Sequence, residues 1–168
     1  MEKNTVIDVL KMAILMERRG KAFYEKVAEQ SKSSEVQNIF NIMAKEEDLH
    51  IAILSKQYIH FDKNKKFQKS DLKSNETKKD IAKLILSHNI KKQISAASYE
   101  AAAISSAIDM ENKAIEVYSN RAKESMDGDE KELFQWLADW EKGHLKILND
   151  MNKELMEDVW YDNKFWPF

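Results

Sequence analysis

Two short segments of the chain could do chemistry together: Glu47-Asp48-Leu49-His50 and Glu141-Lys142-Gly143-His144. Each reads Glu-x-x-His. On a helix, positions i and i+3 share a face, so the carboxylate and the imidazole can reach one point in space. Such a point suits a divalent metal ion. A single Glu-x-x-His arises often by chance, but here the two copies are in register. A shift of 94 residues lays one half of the chain on the other without a gap. It places Ala13, Ile14, Met16 and Glu17 on Ala107, Ile108, Met110 and Glu111, and Tyr24 on Tyr118. It also places Ala28 on Ala122, Phe40 on Phe134, Ala44 on Ala138, Glu47 on Glu141 and His50 on His144. Matching apolar residues follow from a shared core. Matching Glu and His at core-facing phases do not, because an unpaired buried charge is costly. The repeat also decides between neighbours: Glu46 could pair with His50 at i,i+4, but its mate is Trp140, whereas the mate of Glu47 is Glu141.

The charge arithmetic points to two ions. Four carboxylates (Glu17, Glu47, Glu111, Glu141) carry four negative charges, and neutral His50 and His144 carry none. Two divalent cations neutralise the set, which is expensive to bury without them. Mixed carboxylate and imidazole ligation suits iron or manganese, and zinc could fit. Six ligands exceed a simple tetrahedral zinc set. The chain has no cysteine. That removes disulfides, thiolate zinc sites, iron–sulfur clusters and the four-cysteine iron site of a rubredoxin module.

The elements that must hold these residues are helices. Glycine and proline number only 3 and 1 in 168 residues, where about twenty are usual. With 43% apolar and 33% charged residues, the composition is that of a helix bundle. Apolar periodicity predicts helices over about 5–30, 34–58, 98–124 and 129–151. Capping pairs are expected at Thr5/Asp8, Ser34/Gln37 and Asp127/Glu130. Short links make two antiparallel hairpins, 5–58 and 98–151, within one domain spanning 1–168. The crossover, 59–97, reads as lysine-rich loop over 61–80 followed by a short amphipathic helix carrying Ile81, Leu84, Ile85 and Ile90. One long crossover is the ferritin-like connection. The tail, 152–168, is rich in aromatic residues. It reads as a strap over the bundle, with a dimer interface as the other reading.

Glu17, Glu47, His50, Glu111, Glu141 and His144 match the ligand pattern of ferritin-like di-iron carboxylate proteins: a Glu from each of two helices and Glu-x-x-His from each of the others. The chain resembles a stand-alone member of the rubrerythrin-like branch of that superfamily, over all four helices. The closing WYDNKFWPF is also similar to the ending of short rubrerythrin-related proteins. The resemblance implies an all-α ferritin-like four-helix bundle with two iron ions. Glu47 and Glu141 would bridge the metals, Glu17 and Glu111 would be terminal ligands, and His50 and His144 would bind one metal each. It further implies that Tyr24 and Tyr118 hydrogen-bond to ligand carboxylates and orient them. Departures are visible. Typical rubrerythrins carry an extra carboxylate one turn after the third-helix ligand, where this chain has Ala114, with Gly20 as its repeat mate. Bacterioferritins bind haem through a Met after the second-helix Glu. Asp48 stands there, so no haem is expected.

The expected function is a di-iron oxidoreductase that reduces peroxide or O₂ between Gly20 and Ala114, with Glu17, Glu47, Glu111, Glu141, Tyr24 and Tyr118 as its working residues. Electrons would come from a separate donor such as a rubredoxin-like protein. The alternative is iron binding or ferroxidase-type handling without turnover. The resemblance suggests a homodimer. The net charge of −2 marks no nucleic-acid binder. No apolar run approaches the roughly 20 residues that span a bilayer. The N-terminus lacks a signal-peptide apolar region, so the expected location is cytoplasmic. His60 and His88 lie outside the repeat and are expected to hold no metal. The Trp136–Trp140 pair reads as core.

Overall fold

The computed structural model describes residues 5–69, Leu72 and 99–162, with side chains as far as Glu154. Within them lie four helices: α1 Val6–Gln30, α2 Ser34–Asn64, α3 Tyr99–Glu124 and α4 Gly128–Asp162. α1 packs along α2, α3 along α4, and the hairpins meet where α1 crosses α3. This is the expected all-α bundle.

Local chemistry sets the helix starts. Thr5 and Asp8 form a reciprocal capping box on α1, which satisfies two orphan N–H groups. The cap of α2 is Ser33 rather than Ser34. Its hydroxyl accepts from Val36 N–H, while Gln37 donates to the carbonyl of Ser31. At α4, Asp127 accepts from Glu130 N–H. The Glu130 carboxylate does not complete the box; it turns to Arg121 (Nε at 2.7 Å) and to Ser125.

Two helices outrun the sequence expectation. α2 continues past Tyr58 to Asn64, because no glycine or proline stops it. It ends where Lys65 adopts a left-handed conformation (φ 55°) and its N–H reaches the carbonyl of Phe61. α4 continues past Met151 to Asp162. The tail therefore begins as helix, in keeping with a sequence that meets no proline before Pro167. The start of the crossover is pinned: Gln57 donates to the Gln68 carbonyl at 2.7 Å and accepts from Gln68 N–H, while Phe67 is buried. The amphipathic segment expected over 81–90, His88 and residues 163–168 lie outside the described residues.

The core comes in two parts, one at each end of the bundle. One gathers Tyr24, Ile39, Phe40, Met43, Ile104 and Leu148. The other gathers Leu10, Leu54, Tyr118, Leu133, Phe134 and Leu137. The 94-residue repeat exchanges them: Tyr24 for Tyr118, Ile39 for Leu133, Phe40 for Phe134, Leu10 for Ile104. A pseudo-twofold axis therefore runs between the cores, and Glu17, Glu47, His50 and Tyr24 each recur across it as Glu111, Glu141, His144 and Tyr118.

Candidate metal centre

Between the two cores lies a buried polar layer. α1 contributes Glu17, α2 contributes Glu47 and His50, α3 contributes Glu111, and α4 contributes Glu141 and His144, all 3% exposed or less. They form two overlapping groups: Glu17, Glu47, His50 and Glu141, and Glu47, Glu111, Glu141 and His144. The Nδ1 atom of His50 lies 3.0 Å from Glu17 Oε2, 3.2 Å from Glu47 Oε2 and 3.0 Å from Glu141 Oε1. The Nδ1 atom of His144 lies 3.4 Å from Glu47 Oε1, 3.3 Å from Glu111 Oε1 and 2.9 Å from Glu141 Oε2. Glu47 and Glu141 each turn one oxygen towards each imidazole. Glu17 and Glu111 each serve one.

These donor atoms suit metal ions. Ligands about 2.1 Å from one ion stand about 3 Å apart when they subtend a right angle, which is the spacing found here. Both oxygens of Glu141 and Nδ1 of His144 are buried and lack a hydrogen bond among the described residues, although the Glu141 oxygens sit within 3.0 Å of the imidazoles. Close contact without good hydrogen-bond geometry leaves these donor atoms available to a cation. A buried carboxylate is rarely left this way. A cation there satisfies it. His60 belongs to neither group; it lies beside Asn64 near the end of α2.

The metal-free electrostatics show the same tension. Burial pushes the Glu47 carboxyl well up, and the charges of Glu141 and Glu17 push it further. Burial, with Glu141 adding to it, raises Glu111 to about 7. Burial also opposes a charge on Glu141, but the facing histidines outweigh it and hold that carboxyl below its usual range. Burial alone would lower both histidines; Glu141 above all raises them instead. In the absence of metal, these shifts favour protonation of Glu47, Glu111 and the two histidines.

Tyr24 and Tyr118 meet the carboxylates of the buried layer crosswise. Tyr24 donates to Glu111 Oε1 and Tyr118 to Glu17 Oε1, each reaching the opposite hairpin. Spacing along one helix could not show that exchange. Burial, and then the carboxylate that each faces, push both phenols up, so they remain donors.

Sequence reasoning missed two residues. Glu46 stays out of both groups, yet it is buried and accepts from His144 Nε2 at 2.6 Å and from Trp140 Nε1 at 3.1 Å. Trp140, read as core, stands 5.2 Å from the His50 ring at 90°, with Trp136 at 5.6 Å. The signal was present: position 46/140 is where the repeat swaps a carboxylate for an indole.

A cavity of about 190 Å³ opens onto this layer between α1 and α3. Glu17, Glu47, Glu111, Glu141 and Tyr24 face it, and its wall includes Gly20 and Ala114. Its rim pairs Arg19 with Lys113 and Met16 with Met110, again repeat mates. A Cβ added at Gly20 would stand 3.6 Å from Glu47 Cδ, an ordinary contact.

No curated protein matches the chain significantly. Among solved structures, a hypothetical protein from Pyrococcus furiosus is similar, with a TM-score of 0.62 and 24% identity over 91% of each chain. That likeness speaks for the fold alone. The family model described as Rubrerythrin matches residues 8–152, a span that contains all four carboxylates and both histidines of the buried layer. The chain belongs to the Rubrerythrin family.

Proposed function

We propose that the protein is a non-haem di-iron oxidoreductase that reduces peroxide, or O₂, with electrons from a separate donor of the rubredoxin-like kind. Glu17, Glu47, His50, Glu111, Glu141 and His144 would hold the two iron ions, which when bound supply two electrons to an O–O bond. The observation that carries this reading is the cavity, which gives a small molecule direct access to the carboxylates shared between the two groups. Reducing peroxide to water takes two electrons and two protons.

The chain's own residues do the rest. Ala114 stands where the resemblance places a rubrerythrin's additional carboxylate, and with Gly20 it leaves space in the cavity wall. Tyr24 and Tyr118 hold Glu111 and Glu17 by their Oε1 atoms, and at Glu17 this leaves Oε2 facing His50. Two apolar cores seal the layer from both ends of the bundle, which keeps water away from everything except the cavity side. Arg19 and Lys113, the latter paired with Glu116 at 2.6 Å, place positive charge on the rim, which suits a neutral or anionic substrate better than a metal cation at the mouth. This favours oxidant reduction over iron handling.

The test is stopped-flow mixing of the anaerobically iron-loaded, reduced protein with peroxide. Oxidation much faster than that of free ferrous ion supports the proposal. Oxidation no faster than free ion contradicts it. Iron taken up beyond two ions per chain, in a large assembly by light scattering, would favour iron handling.

A further inference from the structure

The repeat makes the centre nearly twofold, but the residues behind the two imidazoles differ. Behind His144 stands Glu46, whose carboxylate can only accept, so Nε2 of His144 carries the hydrogen and donates to it at 2.6 Å. That fixes the tautomer and leaves the Nδ1 lone pair aimed at the centre. The same Glu46 oxygen is held by Trp140 Nε1, so His144, Glu46 and Trp140 form one buried chain. Behind His50 the corresponding position is Trp140 itself, an indole at a right angle to the imidazole. Nε2 of His50 is buried and has no hydrogen-bond partner among the described residues. An aromatic face is a weaker acceptor than a carboxylate. For Nδ1 of His50 to bind a metal, its Nε2 must keep a hydrogen that finds no carboxylate.

We propose that Glu46 and Trp140 make the two metal positions unequal, so that the position built on Glu111 and His144 fills before the position built on Glu17 and His50. Glu46 is a positioning residue: it touches neither group's centre and acts through His144. Outer partners of this kind change metal affinity by about 10–100-fold, so the two binding steps should differ by that factor. The inference rests on the two-ion reading above.

The test is a titration of the full, metal-free chain, labelled with ¹⁵N at histidine, with Zn²⁺ as a diamagnetic probe. The imidazole nitrogens are followed by long-range ¹H–¹⁵N spectra and assigned with His50→Gln and His144→Gln. The expected result is that one equivalent moves Nδ1 of His144 to its metal-bound shift while His50 stays at its free shift, and a second equivalent moves His50. If both respond together, or His50 responds first, the inequality is overturned and the two-ion reading stands. If neither responds at two equivalents, both fall. In Glu46→Ala the first step should weaken by about 10–100-fold, and Glu46→Gln, which keeps an acceptor, should recover most of the loss. Unchanged first-step affinity in Glu46→Ala also overturns the proposal, and the wild-type titration decides if that variant does not fold.

Discussion

Enlarging Ala114 should close the route to the centre without touching a ligand. Ala114 lies in the wall of a cavity of about 190 Å³ and is 9% exposed. Ala114→Leu adds three carbons and Ala114→Phe adds six. At up to a water's share of about 30 Å³ each, leucine claims at most half of the space and phenylalanine roughly 100–180 Å³ of it. Peroxide, with two oxygens, needs about 60 Å³ on the same scale. Leucine should therefore slow access and phenylalanine nearly abolish it. The assay is single-turnover stopped-flow oxidation of the reduced, iron-loaded protein by peroxide, with iron content measured on the same samples. The expected order is wild type, then leucine, then phenylalanine. The last should be at least about tenfold slower than wild type, a barrier increase of about 1.4 kcal/mol. Iron content should not change, because Ala114 offers no ligand atom. Equal rates in all three proteins, with two irons retained, would refute the reasoning and place substrate entry elsewhere.

Tyr118→Phe removes the only hydroxyl described on Glu17 Oε1. Metal affinity of the Glu17/His50 group should fall about 10–100-fold by competitive chelation, while the wild-type fold persists by circular dichroism. Gly20→Ala should be tolerated, since the new Cβ makes an ordinary contact with Glu47 and the residue has no positive φ. Helix propensity then favours the variant by up to about 1 kcal/mol in denaturant unfolding, with metal uptake intact. The stabilisation by metal should grow with pH. Burial raises Glu47 and, to about 7, Glu111, and Glu141 raises the histidines, so the folded metal-free layer binds more protons than the unfolded chain. That favours the metal-free fold below the ordinary carboxylate range, and the advantage is lost as pH rises towards 7 and beyond. Metal must displace the same protons. The Tm difference between metal-loaded and metal-free protein should therefore widen from pH 5 to pH 8; a constant difference would contradict this.

Much of the centre was legible in the sequence because a duplicated hairpin turns similarity at a fixed shift into symmetry in space. Glu17, Glu47, His50 and their mates fall at core-facing phases, and packing the two hairpins pseudo-symmetrically buries both copies together. The choice of Glu47 over Glu46 followed from the mates alone. What the sequence hid depends on contacts between hairpins. The crosswise donation of Tyr24 to Glu111 and of Tyr118 to Glu17 requires the packing of α1 on α3, which no spacing within one helix encodes. Glu46 was set aside as a ligand, yet behind His144 it is bound at two points. The helix ends of α2 and α4 were underestimated because apolar periodicity fades before the helix does. Absence of glycine and proline, rather than the apolar stripe, sets where those helices can stop.

The central claim is that one chain holds two metal ions between its hairpins. The most direct measurement is elemental analysis of the full chain after anaerobic ferrous loading and removal of excess metal, alongside Glu141→Gln. Two irons per chain are predicted for the wild type. Glu141 faces both histidines, so the variant should lose metal from both positions. One iron or none in the wild type, or two irons retained undiminished by Glu141→Gln, would contradict the account.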